Sequence, residues 1–349
     1  MTKRSKSKAT TAAKAGPASI PAAHPPLAQW PPYGLVNETF MYDVRTRRVP
    51  VGFLVQGQPA DDRGFTAWLE AVTDELAELL WPRYTGHAHA PWQGAAAAFA
   101  AALTLDDFAL MKGLRGQVEQ APRGRDKALA RTHLALFLDE DDKAPWPTYA
   151  EYETKLPAAL MEALQATMQA TNRNFGPAPL RFKALLQRPR PYQMALMLGQ
   201  AGFRYDFGKS AVTASSISGH AVQGLIAGTG AFVRHLRELR SVAGARQHLQ
   251  QYAVDVGDRR VFAGVHFPSD NLASWLVTAR LCDQGFFGEL VDEAKAFIAG
   301  AVLRSAVYQA MHAHGGHYTA ALKRLEQALG EGWVRAAAEA RAAQASAPG

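Results

Sequence analysis

Three short stretches of the chain hold residue types that could grip an anion and attack it. The first is Lys183-Ala-Leu-Leu-Gln-Arg-Pro-Arg-Pro191. Lys183 and Arg190 lie seven positions apart, two helical turns, so a helix continuing through both would aim them the same way. Pro191 ends or kinks a helix near that point. Two cations there could hold a multiply charged anion, the arginine through its fork of donors and the lysine as a point charge. Taken alone the stretch also reads as a basic surface patch, and Arg188-Pro189 is a second Arg-Pro pair that leaves the register open.

The second stretch, Ser215-Ser-Ile-Ser-Gly-His220, runs directly into an apolar-periodic segment. Small polar residues entering a helix offer free amide groups and the positive end of the helix dipole. Ser218 suits the N-cap, Gly219 lets an anion approach the backbone, and His220 in the first turn could give or take a proton. An ordinary cap beside a surface histidine would look the same. The third stretch is Asp258-Arg-Arg260-Val-Phe-Ala-Gly-Val-His266-Phe-Pro-Ser-Asp270. It adds the cation Arg260 and an apolar-flanked histidine, His266, with a carboxylate four positions later. A carboxylate accepting from one imidazole nitrogen leaves the other available as nucleophile or ligand, although a lone histidine in such a setting is more often a core residue.

In this order, Lys-x6-Arg-Pro, Ser-Gly-His and Arg-x5-His-x3-Asp resemble the three-part signature of the type 2 phosphatidic acid phosphatase family. Its superfamily includes bacterial class A acid phosphatases and vanadium-dependent haloperoxidases. The resemblance covers roughly residues 180–285 and counts Lys183 to Arg190 rather than Arg188. Two flanking positions depart from the family pattern: Ile217 stands where Pro is usual, and Arg259 where Ser is usual.

The resemblance implies a helical bundle with the anion site between helices. In the phosphatase version His266 attacks phosphorus to form a phosphohistidine, Asp270 orients it, and His220 protonates the leaving oxygen. Lys183, Arg190, Arg260, Ser218 and the Gly219 amide hold the equatorial oxygens, and no metal or other cofactor is required. In the haloperoxidase version the same pocket holds vanadate, with His266 as axial ligand and His220 assisting peroxide, and the substrates are halide and hydrogen peroxide. The leading expectation is a phosphomonoesterase acting on a small phosphate ester. A vanadium haloperoxidase comes second and a non-catalytic helical anion-binding protein third.

The elements that must position these residues are helical. Residues 65–81 place Trp68, Leu69, Val72, Leu76, Leu79 and Leu80 on one face. Similar periodicity runs through 92–112, 126–138, 148–171, 221–240, 244–254, 270–281, 288–312 and 317–340, with Pro, Gly or paired charges between. Val51 to Val55 is one weak strand candidate. The expected architecture is therefore all-α: one large domain over about 37–330, an Ala-rich C-terminal helix and tail over 331–349, and a tail over 1–36.

Composition narrows the classes. The chain has 349 residues, 48% of them hydrophobic, and one cysteine, Cys282, so no intrachain disulfide forms. Residues 1–36 carry Lys3, Arg4, Lys6, Lys8 and Lys14 and no acid, leaving 33 basic against 31 acidic residues elsewhere. The positive charge thus belongs largely to a solvated, disordered tail and does not mark a nucleic-acid-binding body. The charge-free run Val212 to Val233 is interrupted by serines, His220, Gln223 and glycines, which excludes a membrane span. With no leader-like apolar segment, the expectation is a cytoplasmic protein. His312, His314 and His317 read as helix-end histidines favouring the dipole, and His87 and His89 as loop residues. Trp68, Trp81, Trp92 and Trp275 read as core.

Overall fold

The computed structural model describes residues 54–55, 58–59, 61–81, 102–120, 157–175, 178–200 and 213–345. These residues are overwhelmingly helical, and the fold is all-α. The helices in chain order are α1 (Asp62–Leu80), α2 (Ala102–Gln120), α3 (Ala158–Phe175), α4 (Ala178–Leu186), α5 (Pro191–Met197), α6 (Gly219–Arg234) and α7 (Leu236–Ser241). They continue as α8 (Ala245–Phe262), α9 (Pro268–Asp283), α10 (Val291–Val302), α11 (Ala306–His314), α12 (Thr319–Leu329) and α13 (Glu331–Ala345). Before α1, β1 (Leu54–Val55) pairs antiparallel with β2 (Gln58–Pro59); it is the described part of the Val51 to Val55 strand candidate, whose first three residues lie outside the described residues. Residues 1–36, 126–138, His87, His89 and Trp92 lie outside the described residues.

Local chemistry explains where the helices stop. Asp61 caps α1, its carboxylate accepting from the Gly64 amide at 2.7 Å. The apolar run expected over 221–240 divides at His235, whose Nε2 lies 2.9 Å from Thr167 Oγ1 on α3. The run over 288–312 divides because Ser305 starts a new helix, accepting from the Tyr308 amide at 3.0 Å. The run over 317–340 divides at Gly330, whose φ of 51° ends α12. Conversely α8 outruns its expected end at residue 254 and continues to Phe262. The residues that looked like an end, Asp255, Asp258, Arg259 and Arg260, are buried within it.

The glycine-rich helix α6 lies at the centre, packed against α3, α8, α9 and α10. Its approach to α8 is so close that a Cβ on Gly224 would lie 2.4 Å from the Ala253 carbonyl oxygen. Only a residue without a side chain admits that spacing, and it holds the first half of α6 against the middle of α8. Around this pair sits one apolar core including Leu225, Ile226, Val256, Leu276, Phe297 and Ile298. Trp68, Trp81 and Trp275 are buried in it, as their sequence settings suggest. At the far end α13 lies along α10, with Ala336 buried. Among the described residues no helix is long and apolar enough to cross a membrane.

Candidate active site

Lys183 and Arg190 do not share one helix. The chain leaves α4 after Leu186 and turns at Gln187, which has a φ of 49°. Arg190 then stands as the N-cap of α5, ahead of Pro191. Pro189 and Pro191 break the helix, so a bend, not the two turns of one helix expected from the spacing, brings the two cations together. Gln193 fixes that bend by accepting from the Arg190 amide at 2.8 Å.

The three stretches converge. Ser215 N donates to the Arg188 carbonyl at 2.7 Å, tying the second stretch to the first. Ser274 Oγ on α9 donates to the Ser218 carbonyl at 3.0 Å, tying the second to the third. Ser218 is the N-cap of α6, its hydroxyl accepting from the Ala221 amide at 3.3 Å. Gly219 and His220, both half-buried, form the first turn behind it. Arg260 lies in the last turn of α8, fully buried. Beyond it Gly264, with φ at 78°, reverses the chain, and the Arg260 carbonyl accepts from Val265 N at 3.1 Å and His266 N at 3.2 Å. That reversal places His266 beside Arg260.

Lys183 Nζ donates to the carbonyls of Ala214 at 2.5 Å and Ser215 at 2.9 Å. Arg190 Nε donates to the Thr213 carbonyl at 2.6 Å, and its Nη1 to the Val265 carbonyl at 2.7 Å. The same Nη1 lies 3.0 Å from His266 Nε2. A guanidinium only donates, so Nε2 is the lone-pair nitrogen and Nδ1 carries the proton. His266 Nδ1 duly faces Asp270 Oδ2 at 3.3 Å. Asp270 Oδ2 also accepts from Ser215 Oγ and from Phe267 N, the latter at 2.9 Å, as a side chain in the first turn of α9 reaching back to its N-cap.

The electrostatics describe a site short of negative charge. Burial lowers the pKa of Lys183 well below the ordinary lysine value, and the charges of Arg190 and Arg260 lower it further. Burial does the same to His220, followed by Arg260, Lys183 and Arg190. His266 is lowered by burial and by Arg190 against the opposing hydrogen bond to Asp270. Arg190 acts on all three groups, Lys183 on both histidines, and Arg260 on Lys183 and His220, so these side chains lie close together. Burial alone would raise Asp270, but the Arg188 charge and the bonds from His266 and Ser215 hold it well below the usual carboxylate range. Arg259 is buried like its neighbour Arg260.

The sequence reading passed over two residues of this site. Arg188, which the register argument set aside, is fully buried and donates from Nη1 to Asp270 Oδ1 at 2.7 Å. Its Nη2 donates to Asp107 Oδ2 on α2 at 2.9 Å. A signal for Asp107 existed: it shares the 103, 107, 111, 114 stripe with Leu103, Met111 and Leu114, and a carboxylate on an apolar face needs a partner. The histidines His314 and His317 are apart from the site. Both reach Asp106, at 3.3 Å and 2.6 Å.

No protein-family model, curated protein or solved structure matches this chain.

Proposed function

We propose that the protein is a phosphomonoesterase working through a phosphohistidine at His266. The observation that carries this reading is the bracketing of His266. Arg190 on one nitrogen and Asp270 on the other leave Nε2 as a fixed lone pair inside a cluster of buried cations. A phosphoryl group seated there meets Lys183, Arg190 and Arg260 around its oxygens, with the Ser218–Gly219 start of α6 supplying amide dipoles. The charge that spreads over those oxygens in the transition state is then stabilised by fixed groups.

In the first step the Nε2 lone pair forms a bond to phosphorus while the ester P–O bond breaks. His220, protonated when the substrate's negative charge offsets the cations beside it, gives its proton to the leaving oxygen. In the second step water loses a proton to the now neutral His220 and attacks phosphorus. The N–P bond breaks, its electron pair returns to Nε2, and phosphate leaves.

The test is turnover of a small aryl phosphate by wild type and His266→Ala, beside a bromide–peroxide assay with added vanadate. A phosphatase should lose at least about a thousandfold in rate, as an enzyme does when its nucleophile is deleted. A folded His266→Ala protein with near-normal turnover would remove the site. Vanadate-dependent bromination without phosphatase activity would assign the pocket to haloperoxidase chemistry, with His266 holding vanadate. Phosphate binding with neither activity would leave a helical anion-binding protein.

A further inference from the structure

A buried line of charge enters the site from α2, outside the three stretches that define it. Asp107 Oδ1 accepts from Ser269 N at 3.0 Å and Tyr318 Oη at 2.8 Å. Its Oδ2 accepts from Arg188 Nη2 at 2.9 Å and from Ser269 Oγ. Because Arg188 Nη1 donates to that same Ser269 hydroxyl at 2.8 Å, the serine's own proton points at Asp107. Burial, with the nearby Asp270, raises the Asp107 pKa above the ordinary aspartate value, but each of these neighbours donates, the environment of an ionised carboxylate. Arg188, stacked at 3.9 Å on the Phe267 ring, bridges Asp107 to Asp270, and Asp270 faces His266.

The charge count along this line matters. Paired with Arg188 alone, Asp270 would belong to a neutral couple. It could then do little for the positive charge that grows on the His266 ring as Nε2 bonds phosphorus and Nδ1 keeps its proton. Arg190 and Lys183 press on the ring with charge of the same sign. The second carboxylate, Asp107, leaves Asp107–Arg188–Asp270 with one net negative charge beside the nucleophile. We propose that Asp107 is a positioning residue for His266, acting through Arg188 and Asp270 to return the negative charge that lets the ring take a bond to the substrate. This inference rests on the reading of His266 as the group that bonds the anion.

The experiment compares two anions on the full-length chain by titration calorimetry. Inorganic phosphate reports the cations, and orthovanadate, which readily becomes five-coordinate, also reports the bond to His266. The isosteric Asp107→Asn should weaken vanadate by about tenfold, one charge coupling transmitted through a shared neighbour. Phosphate should bind no more weakly than to wild type, since a negative charge has been removed. The double variant Asp107→Asn/Arg188→Met should restore the wild-type vanadate-to-phosphate ratio, because a lone carboxylate again faces His266. A purely structural Asp107 would weaken both anions together, and that result, an unchanged ratio in Asp107→Asn or an unrestored ratio in the double variant overturns the inference. If Asp107→Asn does not fold, the double variant alone carries the test: a wild-type ratio supports the charge count and a lowered one overturns it. A wild-type chain that binds neither anion would instead overturn the proposed function, an outcome distinct from failure of the Asp107 argument.

Discussion

Arg190 donates toward His266 Nε2 from 3.0 Å while also donating to the Val265 carbonyl, one residue before that histidine, at 2.7 Å. One guanidinium thus sets both the tautomer of His266 and the position of the backbone that carries it. In the proposed mechanism it also occupies the side of the ring on which the anion would arrive, so binding would exchange one Arg190 partner for another.

Arg190→Lys should accordingly be far from conservative. A lysine offers a point charge without the fork that spans Thr213, Val265 and His266. Phosphate affinity should fall about 10- to 100-fold, the worth of one to two charge-assisted hydrogen bonds. Nitrogen-15 shifts of the His266 ring should show Nδ1–H predominating in wild type and a mixture in the variant. An unaltered phosphate affinity would take Arg190 out of the anion site.

Anion binding should draw protons from solution. Lys183 and His220 both have pKa values lowered by burial and by neighbouring cations. A dianion reverses the cationic part of that shift and raises both groups, so the complex holds more protons than the free protein. Affinity for the dianion should therefore decline as pH rises through neutrality. Calorimetry in buffers of different ionisation enthalpy should show uptake approaching about one proton per dianion near pH 7, once the ionisation of free phosphate is subtracted. Net proton release by the protein on binding would contradict the arrangement.

His220→Ala should discriminate between leaving groups. An alkyl phosphate needs its leaving oxygen protonated, whereas an activated aryl phosphate departs with little help. The ratio of wild-type to variant kcat should be at least about tenfold larger for the alkyl ester, within the range general acids supply. Equal losses on both substrates would rule against a proton donor at this position.

Stability should carry a separate signature from Asp258. Burial and the nearby Asp255 push its pKa up to about 7, despite hydrogen bonds from Ser305 and the Val307 amide. Between the ordinary aspartate value and pH 7 the unfolded chain gives up this proton while the folded chain keeps it. The group's contribution to stability therefore falls with rising pH across that window and levels off above it. Asp258→Asn should lose the dependence, so wild type minus variant declines by a few kcal/mol, on the order expected for such a shift. Urea denaturation at pH 5 and pH 8 would measure it, and parallel curves would contradict the assignment.

Much of this was legible along the chain. Apolar residues at three- and four-residue spacing mark α1, and the burial of Phe65, Leu69, Val72 and Leu76 follows from that stripe. Ser218 stands as the cap of α6 and Asp270 beside His266, because both relations are local: one turn of helix separates the partners. Helix ends were less legible. The charged residues of α8 resemble an exposed terminus in sequence, yet they are buried because α6, α9 and α11 pack around them.

The sequence by itself determined the helical class and the residue types able to bind and attack an anion, since periodicity and short spacings are properties of neighbouring residues. The resemblance already counts Arg190 rather than Arg188 to the anion site, but only the tertiary structure decided what Arg188 does. Arg188 and Arg190 sit two residues apart in near-identical settings, each followed by proline. The bend after Leu186 sends Arg190 toward His266 Nε2 and Arg188 toward Asp107 and Asp270. Asp107 lies 81 positions before Arg188, and no local pattern can register a partner at that distance. Its carboxylate meets the guanidinium because the packing of α2 against α8 and α9 buries both, and a charge taken out of water must find its counterpart.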